Sequence, residues 1–74
     1  MKTPAQIKQE MGERLKKARE KAGYTSASEF CKEHSFTVEH YQEHEIGQRG
    51  IKASFAQRYC KALKIPLDWL ILGD

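Results

Sequence analysis

Apolar residues recur early in the chain at spacings of three and four: Ile7, Met11, Leu15, Ala18 and Ala22 form one stripe of an amphipathic helix. Ahead of them stand Thr3 as N-cap, Pro4 at a position where its missing N–H costs nothing, and Gln6 to close a capping box. Gly23 ends the stripe. Ser26-Ala27-Ser28-Glu29 repeats the capping pattern before Phe30 and Cys31, which predicts a second helix of only about two turns with both of these residues inward. Ser35-Phe36-Thr37 interrupts it. Thr37 is placed to cap a third helix running through Ile46, with Tyr41 inward and Gly47 as a left-handed stop. Beyond the loop Gln48-Arg49-Gly50, the stripe Phe55, Ala56, Tyr59, Cys60 and Leu63 predicts a fourth helix from about Lys52 to Leu63. Pro66 then opens a final turn or two, Leu67 to Leu72.

This pattern predicts an all-α, compact five-helix bundle, because the connections are short and no segment alternates with the period of a strand. Helices 2 and 3, two short helices around a three-residue turn, have the arrangement of a helix-turn-helix, whose second helix suits a major groove about 12 Å wide. The 74 residues make a single domain, 1–74, since so short a chain buries only about 60% of its unfolded surface. That leaves little room for an enzyme cleft, and no enzymatic activity is expected. With 39% apolar and 31% charged residues the composition is that of a folding domain, not a disordered one. No apolar run approaches the roughly 18 residues of a membrane span, and the start Met1-Lys2-Thr3-Pro4 lacks the apolar stretch of a signal peptide. A cytoplasmic address and no membrane partner are expected. Cys31 and Cys60 lack CxxC spacing and fall where an apolar stripe needs a small residue, which predicts reduced core thiols. A net charge of +3 is compatible with a polyanionic partner without requiring one.

Three separated blocks carry a more specific signal. Arg14-Leu15-Lys16-Lys17-Ala18-Arg19-Glu20-Lys21-Ala22-Gly23 resembles the first helix of the phage-repressor, Cro-like or XRE-type helix-turn-helix family. His44-Glu45-Ile46-Gly47-Gln48-Arg49-Gly50-Ile51 is similar to that family's Glu-x-Gly-x-Arg signature. Ala62-Leu63-Lys64-Ile65-Pro66-Leu67-Asp68-Trp69-Leu70-Ile71-Leu72-Gly73 is similar to its AL-x-V-x-x-DWLL-x-G ending. The match covers about residues 13–73.

The resemblance implies an ion pair between Arg19 and Glu45 that ties the first helix to the third. It places Val38, Glu39 and Glu43 toward base edges, His40 and Gln42 beside them, and Thr37 close to phosphate. Ser26 and Ser28 stand at the N-terminus of helix 2, where the dipole favours a phosphate oxygen. Arg49 and Lys52 would clamp the backbone of the duplex. Four departures stand out: an extra residue between Gly23 and helix 2, Ala27 where many relatives carry a phosphate-binding Gln, His34 at a usually apolar position, and Ser35 in place of a turn glycine. The last costs up to about 1 kcal/mol where the backbone needs a positive φ. Relatives commonly bind as two-fold dimers. Trp69, Leu70, Ile71 and Leu72 are assigned to a homodimer contact, because four large apolar residues in a row cannot all face inward, with Trp69 also suited to closing the core.

Charge complicates this picture. Residues 24–47 hold one lysine against five glutamates, a net −4, while the rest of the chain holds twelve Lys and Arg against five acids, a net +7. Binding to a duplex is therefore expected to be driven from the flanks, with glutamate on the reading helix able to accept a hydrogen bond from cytosine N4. His40-Tyr41-Gln42-Glu43-His44 also matches the zinc-peptidase pattern H-x-x-E-H. Without a long helix, a third ligand or a substrate cleft, no functional metal and no cofactor is expected, and adventitious metal binding or a pH-dependent surface through His40 and His44 is the reading that remains. The function expected is a sequence-specific double-stranded DNA-binding regulator of transcription, a repressor of a bacterial cell or prophage. The alternative, favoured by the acidic third helix, is a protein-interaction module of the same fold that no longer binds DNA.

Overall fold

Thr3 opens the first helix with a reciprocal capping box: the Gln6 amide donates to Thr3 Oγ1 at 3.2 Å and the Thr3 amide to Gln6 Oε1 at 2.8 Å. The computed structural model describes residues 1–73. Among them are five helices and no strand: α1 (Pro4–Lys21), α2 (Ala27–His34), α3 (Val38–Glu45), α4 (Ala53–Leu63) and α5 (Leu67–Leu72). Helix ends follow the local signals closely. Gly23 and Gly47 adopt positive φ just beyond α1 and α3, and Pro66 precedes α5 as its N-cap. Two expectations shift. Lys52 is the N-cap of α4 and not its first residue, and Thr37 stands at the N-cap of α3 without making a side-chain capping bond among the described residues.

One core collects an apolar stripe from every helix: Met11, Leu15 and Ala18 of α1, Phe30 and Cys31 of α2, Tyr41 of α3, Ala56, Tyr59, Cys60 and Leu63 of α4, and Leu70 of α5. The α1 stripe is shorter than its periodicity promises. Ile7 remains 44% exposed because the first turns of α1 overhang the bundle and burial begins only at Met11, and Ala22 is exposed at the other end. Both cysteines are buried free thiols. Burial, and then the charge of Glu45, pushes the Cys31 thiol up to about 11. Aromatic rings from four segments, Phe30 of α2, Phe36 of the α2–α3 turn, Tyr41 of α3 and Tyr59 of α4, meet at centroid distances of 4.9 to 5.5 Å in the middle of the bundle.

α5 is held to α1 by Arg14, whose Nε donates to the Leu70 carbonyl at 2.9 Å and Nη2 to the Ile71 carbonyl at 3.0 Å. A guanidinium here satisfies carbonyls that a helix end leaves unpaired and complements the negative end of its dipole. Ser35, between α2 and α3, has φ 61 and ψ 40. A left-handed serine costs roughly 1–2 kcal/mol relative to the right-handed region, a strain the surrounding Phe30, Phe36 and Tyr41 packing must offset.

Candidate nucleic-acid interface

α3 is fastened at its C-terminal end. Gly12 of α1 lies against the backbone of residues 44 and 45: an added Cβ would stand 2.8 Å from the Glu45 carbonyl carbon and nearer still to the His44 and Glu45 carbonyl oxygens. About two turns further along α1, Arg19 Nε donates to Glu45 Oε2 at 2.7 Å, with side chains only 5% and 9% exposed, and Arg19 Nη1 donates to the Tyr24 carbonyl at 2.8 Å. The bond to Glu45 raises the guanidinium above its already high pKa, so Arg19 stays charged. His44 is buried, and its Nδ1 shares a 2.8 Å hydrogen bond with the Tyr59 hydroxyl of α4. Gly47, at φ +79, sits over the α1 backbone at Gln9, 2.7 Å from Gln9 Cα to a hypothetical Cβ. α1 and α4 thus grip residues 44–47.

The other end of α3 is open. Thr37, Glu39, His40 and Gln42 are exposed and, among the described residues, make no side-chain hydrogen bond. Glu43 is half-buried and faces Arg49 Nε at 3.5 Å, so the expected base-reading carboxylate and the expected phosphate clamp are each other's partners. Lys52 is exposed at the start of α4. Val38 departs from its expected role, because it packs against the core cluster and does not face outward with Glu39.

The N-terminus of α2 also differs from expectation. Ser26 Oγ accepts the Glu29 amide at 3.2 Å, and the Glu29 carboxylate accepts the Thr25 hydroxyl at 2.7 Å and the Ser26 hydroxyl at 3.4 Å. The anion that this helix end meets in the fold is therefore the chain's own Glu29, which competes with a phosphate at Ser26; Ser28 stays exposed beside it. Arg58 of α4 escaped the sequence reading. Its guanidinium lies 4.8 Å from the Phe36 ring centroid and 5.7 Å from that of Phe55, which fixes a cation next to the α2–α3 turn and the first turn of α3. The one-turn spacing of Phe55 and Arg58 on an amphipathic helix was the available signal.

Two further expectations are corrected. Leu70 is fully buried beneath α1 and α4 and cannot belong to a contact between copies, while Trp69 and Ile71 are half-buried and Leu72 is 68% exposed. In a helix, successive residues point about 100° apart, so Leu70 takes the inward direction and Leu72 points nearly away from it. The H-x-x-E-H pattern places no two imidazoles on one surface: His40 is exposed, whereas His44 is sealed against Tyr59 and Phe55. Burial, then the charges of His40 and Arg49, lowers the His44 pKa, so it is a neutral core residue and not half of a pH-sensitive surface. No group of three or more metal-ligating side chains occurs among the described residues.

No helix of the described chain is long and apolar enough to cross a membrane. The chain matches no protein-family model and no curated protein.

Proposed function

We propose that the chain binds double-stranded DNA as a helix-turn-helix regulator of the phage-repressor type, with α2 and α3 as the motif and the N-terminal half of α3 in the major groove. The observation that carries this reading is the mounting of α3: its last residues are pinned to α1 by Gly12 and the Arg19–Glu45 pair, while Thr37, Glu39, His40 and Gln42 project freely from its other end. A groove-reading helix needs this orientation, since base edges are met by its first turns. Arg58 lies beside that end, and it would join the exposed Lys52 and Arg49, the latter paired with Glu43, in phosphate contacts that position the protein without reading sequence. Glu39 supplies an acceptor suited to cytosine N4. Repression would follow from occluding polymerase at the bound site, and the exposed Leu72 with half-buried Ile71 would join two copies on adjacent half-sites.

Selection of bound fragments from random duplex DNA tests the proposal. The expected result is a recovered consensus whose affinity drops steeply between about 50 and about 200 mM salt. Arg49→Ala is expected to weaken all duplexes alike and to reduce the salt slope by about 1, while Glu39→Gln alters the base preferred at one position. Retention of no duplex even in dilute buffer refutes it. The net −4 of residues 24–47 favours a second reading, a protein-interaction module that presents α3 to a basic partner. In that case the same exposed glutamates would govern binding and duplex DNA would be inert.

A further inference from the structure

On the side of α1 away from α3 lies a second surface that the DNA reading leaves unused. Each residue of a helix advances about 100°, so Lys17 and Lys21 point nearly opposite to Arg19, which is committed to α3. Between them and the α4–α5 connection runs a groove of about 620 Å³, within the roughly 300–1,000 Å³ typical of ligand sites. Leu63, Ile65 and Trp69 make its floor, and Lys17, Lys21 and Lys64 make its rim. Among the described residues no carboxylate lines it, and none of the three exposed lysines forms an ion pair.

We propose that this groove docks a short acidic segment of a partner protein, apolar anchors on the Trp69 floor and carboxylates on the lysine rim. Charge decides among occupants. A second copy joined about a two-fold axis through this groove would set three lysines against three lysines, a juxtaposition that disfavours association. A phosphate ribbon would satisfy the lysines but leave the apolar floor wet. A segment carrying Asp or Glu around one or two aliphatic or aromatic residues satisfies both, and a groove of this volume suits the anchor side chains of a single extended or helical segment. The site lies apart from the exposed end of α3, so docking does not depend on what α3 binds.

Trp69 is the only tryptophan of the chain and serves as the reporter. Tryptophan-free peptides would be selected from a random displayed library on the intact protein and titrated while Trp69 emission is followed. The expected result is enrichment of Asp and Glu around apolar anchors, a blue shift of Trp69 on binding, and affinity that weakens with salt. The Lys17→Glu/Lys21→Glu chain is expected to lose about tenfold in affinity for these peptides. Lys64→Gly, which suits the left-handed backbone at that position (φ 57), removes one rim charge without strain and is expected to cost about threefold. Failure to enrich any peptide, peptides without an acidic excess, an unmoved Trp69 spectrum, or undiminished binding to the rim variants each overturns the proposal. So does a Trp69 shift that only self-association or duplex DNA produces.

Discussion

Replacing Gly12 by alanine is expected to loosen α3 from α1. By helix propensity alone the change would stabilise α1 by roughly 1 kcal/mol, because glycine is costly in a helix interior. The packing reverses the sign. The new Cβ would meet backbone and not a movable side chain: the Glu45 carbonyl carbon at 2.8 Å, with the His44 and Glu45 oxygens closer. Comfortable carbon–carbon contact needs about 3.5–4.0 Å, so α3 would have to retreat by roughly 1 Å. That retreat would lengthen the Arg19–Glu45 contact formed on the same side of α3. Overfilling a packed interior costs about 1–3 kcal/mol, to which a stretched buried ion pair adds, and the net loss after the propensity gain is about 1–3 kcal/mol. For a chain of 74 residues a loss of this size lowers the melting temperature by roughly 5–20 °C. Thermal unfolding followed by circular dichroism reads this directly, with Lys16→Ala on the exposed face of α1 as a near-neutral control. A Gly12→Ala chain that melts at or above the wild-type temperature would refute the close seating of α3 on α1.

The other expectations concern α3 and the residues packed against it. Arg19→Met or Glu45→Leu alone strands a buried charge and is expected to cost about 3–5 kcal/mol in urea unfolding, while the double replacement recovers much of that loss; strictly additive losses would disprove the pairing. Tyr41 buries its hydroxyl with no hydrogen-bond partner among the described residues, so Tyr41→Phe is expected to be neutral or to stabilise by up to about 1 kcal/mol, and a larger loss would reveal a hidden partner. Burial holds His44 below its ordinary pKa near 6.5, so in acid the unfolded chain takes up this proton more readily than the folded one. Stability on this account is full above about pH 7 and declines as pH drops through about 6.5 toward the lowered folded value. His44→Gln is expected to flatten that decline, and equal urea midpoints for the wild type at about pH 7.5 and about pH 5.5 would count against it.

Local chemistry was legible in the sequence, and through-space chemistry was not. The capping box at Thr3 and Gln6, the cap at Ser26 and the stops at Gly23 and Gly47 involve residues within three or four positions of one another, so type and spacing sufficed to place the helix ends. The stripes of α1 and α4 named most of the core for the same reason. Gly12 lay hidden in its stripe, because a helical glycine carries no sign of a partner backbone until the partner is known. Val38 and Leu70 turned inward because the direction of each helix about its own axis is set by neighbours. Glu29 read as the far half of a capping box, yet its carboxylate takes the Thr25 and Ser26 hydroxyls. Arg58 gained meaning only when Phe36, more than twenty residues earlier, came under its guanidinium.

The mounting of α3 also gives the acidic sequence of that helix a physical use within the proposed function. The fastenings at residues 44–47 leave the projecting half supported mainly by the inward side chains Val38 and Tyr41, and they fix its direction before any ligand arrives. A pre-oriented helix loses little further freedom on docking, so the cations around it need contribute less. Those cations, Arg49, Lys52 and Arg58, would act on every duplex equally. Glu39 acts oppositely: in a polyanionic groove an unpaired carboxylate is penalised at every base pair except where a donor such as cytosine N4 meets it. Under the proposed function affinity would be set by the flanks and discrimination by repulsion along the helix, an arrangement that rejects wrong sequences more than it rewards the right one. On this argument Glu39→Gln raises affinity for random duplexes while eroding preference, whereas a carboxylate that merely faced solvent would leave the ratio of specific to random binding unchanged.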